Sequence, residues 1–139
     1  MSKYKEIQTQ FKNLESLKLA LLDIGFTADQ LELAPDVHQN TLVMHGYHGD
    51  ARPERASLRI DRKFIGSVSN DVGFAWDGQQ FTAMISEFDN RTRFNGQRQN
   101  ALKQAYAKHE IKRQARLRGY SVNEQRRTDG TIALTLVRR

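Results

Sequence analysis

Two histidines three positions apart, His45 and His48 in HGYHG, come nearest to a ligand motif in this sequence. On an extended strand that spacing sends the two imidazoles to opposite faces, which suits one ion badly. A turn at Gly46 would bring them round, with Asp50 as the only further ligand close in sequence. Surface histidines are the plainer reading, and no metal is expected. Acid–base catalysis needs titratable groups converging on a pocket. Asp71, Asp77, Glu87 and Asp89 flank the aromatic stretch NDVGFAWDGQQF, residues 70 to 81. Asp77 is accounted for by a turn, and the others read as loop acids. His109 falls on the apolar side of a helical stretch, where a hydrogen-bonded residue at the core edge is expected before a general base. There is no phosphate loop of the GxxxxGK[ST] type, no dinucleotide fingerprint and no serine elbow. The expectation is a chain with no catalytic residue, no cofactor and no small-molecule substrate.

Charge is the second feature with chemical content. Residues 97–139 carry 11 Lys and Arg against three Asp and Glu, whereas residues 1–96 carry 11 against 13, so the positive field belongs to the last third. Lys103, Lys108, Lys112, Arg113, Arg116 and Arg118 fall within about four helical turns and form the candidate contact surface. They fit an acidic protein or a phosphate backbone; a solvated helix face is the bland alternative. Sequence-specific reading of RNA needs aromatics on an open sheet face. Phe74, Trp76 and Phe81 share their phase with Val72 and Ile85, which commits them to a core.

The elements that would position these residues follow from periodicity. Lys3 to Gln10 suits a strand with Ile7 and Phe11 inward. Asn13 is a fair N-cap for a helix whose stripe is Leu14, Leu17, Leu21 and Ile24, closed by Gly25. Residues 27–40 read as a connector, Thr41 to Tyr47 as a strand, and Asp50 to Glu54, with Pro53, as a loop. Leu58 and Ile60 alternate with Ser57 and Arg59. Val72, Phe74 and Trp76 then run into Asp77-Gly78, read as a two-residue type I′ turn, and Phe81, Ala83 and Ile85 return. That hairpin is expected to be the wall of a core. Residues 86–96 read as a long polar loop. A second helix follows from about Gln97 to Arg118, with Leu102, Ala105, Tyr106, His109 and Leu117 in one arc. Gly119 ends it, and a last hairpin turns at Asp129-Gly130 and brings Ile132, Leu134 and Leu136 back along the core.

The fold class expected is α+β: a two-layer sandwich with a largely antiparallel sheet and two helices packed on one face. The other face would present Arg59, Gly73, Ala75, Thr131, Ala133 and Thr135. At 139 residues one domain over 1–139 is the simplest organisation. Cysteine is absent, which removes disulfides, thiolate metal sites and a cysteine nucleophile. That absence fits a reducing interior, so cytoplasm or an organelle stroma is the expected setting, and no apolar run suits a signal peptide or a membrane span.

The segments YKEIQTQFKNLESLKLALLDIGF, HGYHG, DVGFAWDGQQF and YAKHEIKRQARLRGYSVNEQRRTDGTIALTLVRR, in that order, resemble the domain of unknown function family 1257. The resemblance spans nearly the whole chain. It implies occurrence in bacteria and on algal plastid genomes, so that a phage or bacterial source would fit. It implies no agreed catalytic residues. It also implies a subunit or adaptor role, since members are often encoded beside AAA-type ATPase proteins. The basic final third and the polar stretch 86–96 depart from the typical member. The leading expectation is a non-enzymatic adaptor or accessory subunit that binds another protein. The alternative is a nucleic-acid-associated protein that holds phosphates through the basic second helix.

Overall fold

Alternation of bulky and small residues builds the centre of the molecule. The structure, a computed structural model, describes residues 2–139. Val72 and Phe74 lie on β6 (Val72–Trp76), and Phe81, Ala83 and Ile85 on β7 (Phe81–Ser86). Both strands turn these residues to one side, where Leu58 and Ile60 of β5 (Leu58–Ile60) join them. With β1 (Tyr4–Ile7) and β2 (Leu31–Leu33) they form a five-stranded antiparallel sheet in the order β1-β7-β6-β5-β2. Leu17 and Leu21 of α1 (Leu14–Asp23) and Leu102 and Tyr106 of α3 (Gly96–Leu117) pack on that side. Phe74 and Phe81 are fully buried there, so the aromatic hairpin is a core wall. Trp76, at its end, is half-buried against Phe81 and the edge of His38. The α+β class is therefore observed.

Local chemistry explains the element ends. The Asn13 side chain accepts from the Ser16 N–H and caps α1, and Gly25 follows with φ +112°, the left-handed conformation that glycine takes without strain. Asn95 caps α3 in the same way through the Arg98 N–H.

The connections differ from the sequence reading in several places. Asp77-Gly78 is not a type I′ turn. Trp76 pairs with Phe81, which leaves four loop residues, and only Gly78 takes positive φ. The Asp77 carboxylate accepts from the Gln79 and Gln80 N–H groups, so its side chain supplies the turn that backbone conformation was expected to make. The turn at Asp129-Gly130 likewise spans the five residues between Arg126 and Ile132. Asp50 to Glu54, expected as a loop containing Pro53, falls largely within β4 (Ala51–Ala56). Among the described residues β4 pairs only with β3 (Leu42–His45), and an edge strand tolerates a missing N–H. The connector 27–40 contains β2. The stretch 86–96 contains α2 (Glu87–Arg91), capped by Ser86, and it delivers Phe94 into the core.

Two corrections concern the faces. The side of the sheet away from the helices is not open at Gly73 and Ala75: the β3–β4 hairpin covers it. Met44 and Ala56 of that hairpin pack with Met84, Tyr4 and Ala75 in a second, smaller core. Gly73 is glycine for this reason, since a Cβ there would lie 2.7 Å from Met44 Sδ and 2.9 Å from the Ala56 Cβ. The final hairpin, β8 (Tyr120–Arg126) and β9 (Ile132–Arg138), is a separate two-stranded sheet. Thr131, Ala133 and Thr135 are therefore absent from the main sheet's outer face, and Ile132 and Leu136 do not line the core. No helix among the described residues is long and apolar enough to cross a membrane.

Candidate functional site

α3 carries five of the six basic residues singled out from the sequence and Arg118 is its C-cap, and the structure divides them. Lys108 Nζ lies 3.0 Å from Asp23 of α1 and 3.6 Å from Glu124 of β8; Lys112 Nζ lies 2.7 Å from Glu124; Arg113 pairs with Glu110 at 2.6 Å. Lys108 and Lys112 hold α1, α3 and the hairpin together, while the Arg113 pair lies within α3 itself. Among the described residues, Lys103, Arg116 and Arg118 have no acidic partner. His109 lies at the core edge as expected, its Nε2 2.8 Å from Asp23.

The network leaves its mark on the acids. For Asp23, burial works to raise the carboxyl pKa, but hydrogen bonds from Lys108 and His109 prevail and hold it below the ordinary value. Glu124 is lowered chiefly by the Lys112 hydrogen bond, assisted by Lys108.

Beside these cations runs an apolar groove. Its first part, about 950 Å³, lies between residues 8–13 and α3, with Phe11, Tyr106 and Ile111 in its wall and Lys103 and Arg113 at its rim. Tyr106 fixes that wall: its hydroxyl accepts from the Lys12 and Asn13 N–H groups. A second hollow shares Glu110, Ile111 and Gln114 with the first and continues past Ala115 and Arg118 to Tyr120 and Leu136 of the hairpin. Leu117, expected in the buried arc of the helix, is 73% exposed, and Ile111, Ile132, Leu136 and Val137 are exposed as well. Leu102 and Tyr106 of its first half pack on the core; of its later apolar residues Ala115 is buried, whereas Ile111 and Leu117 face outward.

A second polar cluster departs from the sequence expectation. Asp71 and Asp89, expected as loop acids, are both buried. Asp71 accepts from the His45 N–H at 2.7 Å, the Arg62 N–H at 2.7 Å and the His45 ring Nδ1 at 3.1 Å, with Arg59 Nε at 4.0 Å. Arg59 also pairs with Glu32. Asp89 Oδ2 accepts from Ser86 Oγ and the Asn70 N–H, and the Asn70 side-chain oxygen accepts from the Tyr47 N–H. The Tyr4 hydroxyl donates to the Asp71 carbonyl at 2.7 Å; burial, then the Asp71 charge, pushes its pKa up. These bonds clamp the β3–β4 hairpin to the sheet. The only advance signal was position: Asp71 immediately precedes a core strand, where a short acid can satisfy stray backbone donors. The His48 ring lies 3.8 Å from that of Tyr47, tilted by 38°, and no group of three metal-ligating side chains is assembled among the described residues.

Residues 22–135 match a family described as a protein of unknown function, DUF1257. The chain belongs to that family. Within DUF1257 the matched span takes in the main sheet except β1, together with α2, α3 and β8, but only the last two residues of α1 and the first four of β9. No curated protein and no solved structure matches the chain.

Proposed function

We propose that this DUF1257 member is a non-enzymatic adaptor or accessory subunit that binds another protein through the outer face of α3 and the β8–β9 hairpin. The observation that carries this reading is the apolar groove along α3, which continues to exposed Leu136 and has the unpaired cations Lys103 and Arg118 in its lining, with exposed Leu117 on the same helix. Exposed apolar area ringed by charge characterises a docking face, and the excess of Lys12, Lys103, Arg113 and Arg118 over Glu110 in its lining favours an acidic partner. The buried polar cluster at Asp71 supports the same reading, because its acceptors are committed to backbone donors. An AAA-type ATPase system is the setting that the family resemblance suggests for the partner.

Affinity purification of the tagged chain from its native host tests this. A stoichiometric protein partner is expected, lost when Ile111→Glu and Leu117→Glu are combined; recovery of free monomer alone would contradict it. The nucleic-acid reading draws on the same unpaired cations, Lys103, Arg116 and Arg118. It requires binding to generic duplex DNA or RNA that weakens steeply with salt. With Lys108, Lys112 and Arg113 committed to Asp23, Glu124 and Glu110, fewer cations are free for phosphates than the sequence suggested.

A further inference from the structure

β9 is a regular strand of seven residues with one hydrogen-bonded neighbour. It pairs with β8 from Tyr120↔Arg138 to Arg126↔Ile132 without a register shift, and among the described residues its other edge meets no strand. Natural sheets blunt such an edge with lysine, proline, a bulge or a covering element. Residues 132–137, IALTLV, carry no charge and no proline. An isolated two-stranded hairpin is also marginal by itself, and three strands with an apolar face are the usual minimum.

We propose that the free edge of β9 takes a partner's extended segment as a third strand, and that this segment combines alternating apolar residues with flanking acids. This rests on the adaptor reading above and names the partner's chemistry. Backbone groups of β9 would supply affinity, and side-chain alternation would supply the register. Apolar residues stand ready on both faces: Ile132 and Leu136 on one, Val137 on the other, all exposed. The acidic character follows from charge. Arg126 and Arg127 stand at one end of the hairpin and Arg138 and Arg139 at the other, all exposed and without an acidic partner among the described residues. The same charges argue against a second copy as the occupant. Antiparallel pairing of two β9 edges about Thr135 would bring Arg138 and Arg139 of one copy onto the end that carries Arg126 and Arg127 of the other.

Selection of a random phage-displayed peptide library on the full chain, followed by binding of the synthesised winners, tests the proposal. Winners should carry Asp or Glu beside alternating apolar residues and should slow amide exchange across residues 132–138. They should lose at least about tenfold in affinity when Thr135→Lys and Val137→Lys block the edge, while the Ile111→Glu and Leu117→Glu pair leaves them bound. Winners without acids, no winners at all, or an edge whose blocking instead dissolves a homodimer would overturn it. Peptides lost only with Ile111→Glu and Leu117→Glu would overturn strand addition and leave the adaptor reading standing. That reading fails separately, when the native host yields no partner for the wild-type chain.

Discussion

Lys112 of α3 and Glu124 of β8 meet at 2.7 Å, and this contact, with Lys108 beside it, ties the outlying hairpin to the helix. Both side chains are partly exposed, so the pair contributes little to global stability, roughly 0–1 kcal/mol. Its expected role is local. Glu124→Gln should leave the thermal midpoint nearly unchanged yet speed amide exchange in β8 and β9 relative to the main sheet, and added salt should reproduce part of the effect in the wild type.

The acids of this network set a pH dependence. Asp23 and Glu124 both ionise at lower pH when folded than when unfolded. Their contribution is therefore complete above the ordinary carboxylate range and is lost as pH falls through the depressed folded values. Thermal unfolding followed from neutral to acid pH should show a smaller decline for Asp23→Asn combined with Glu124→Gln than for the wild type. An equal decline would mean that other carboxyls dominate.

Gly73 and Met44 form a tight contact between the sheet and the β3–β4 hairpin. Gly73→Ala should cost about 1–3 kcal/mol by overpacking. In a double-mutant cycle with Met44→Ala the two losses should not add, with a coupling of roughly 0.5–3 kcal/mol. Chemical denaturation of the four variants provides the measurement.

Burial ranks the aromatic hairpin. Phe74→Ala should destabilise by about 3–5 kcal/mol, since the ring is wholly enclosed. Trp76→Ala should cost less, because its indole is half-buried at the end of the strand. A reversed order in urea unfolding would contradict the packing described.

Asp71→Ala should strip the acceptor from the His45 and Arg62 N–H groups, at about 1–3 kcal/mol for each donor left unpaired. Exchange should rise first in β3 and β4, whose attachment depends on it.

Much of this architecture was legible because it is local. The stripe of Leu17 and Leu21, the cap at Asn13, the glycine after α1 and the alternation of Val72 and Phe74 are each written within a few residues. What was not legible depended on partners distant in sequence. Pro53 argued against a strand, yet β4 is an edge. Leu117 fits the helical stripe, yet the sheet it would cover ends before that turn. Asp71 and Asp89 looked solvated because the donors that bury them come from residues 45, 62 and 70. The basic residues of α3 were correctly placed on one helix, but their division into paired and free needed Asp23, from a helix some 80 positions earlier. Periodicity carries no information about that pairing.

The most direct test of the docking face is hydrogen exchange of the chain in complex with its purified native partner. Protection is expected along residues 111–118 and in β8 and β9, with the β3–β4 hairpin unchanged. Protection confined to the β3–β4 hairpin around His45, or to the main sheet, would contradict the account.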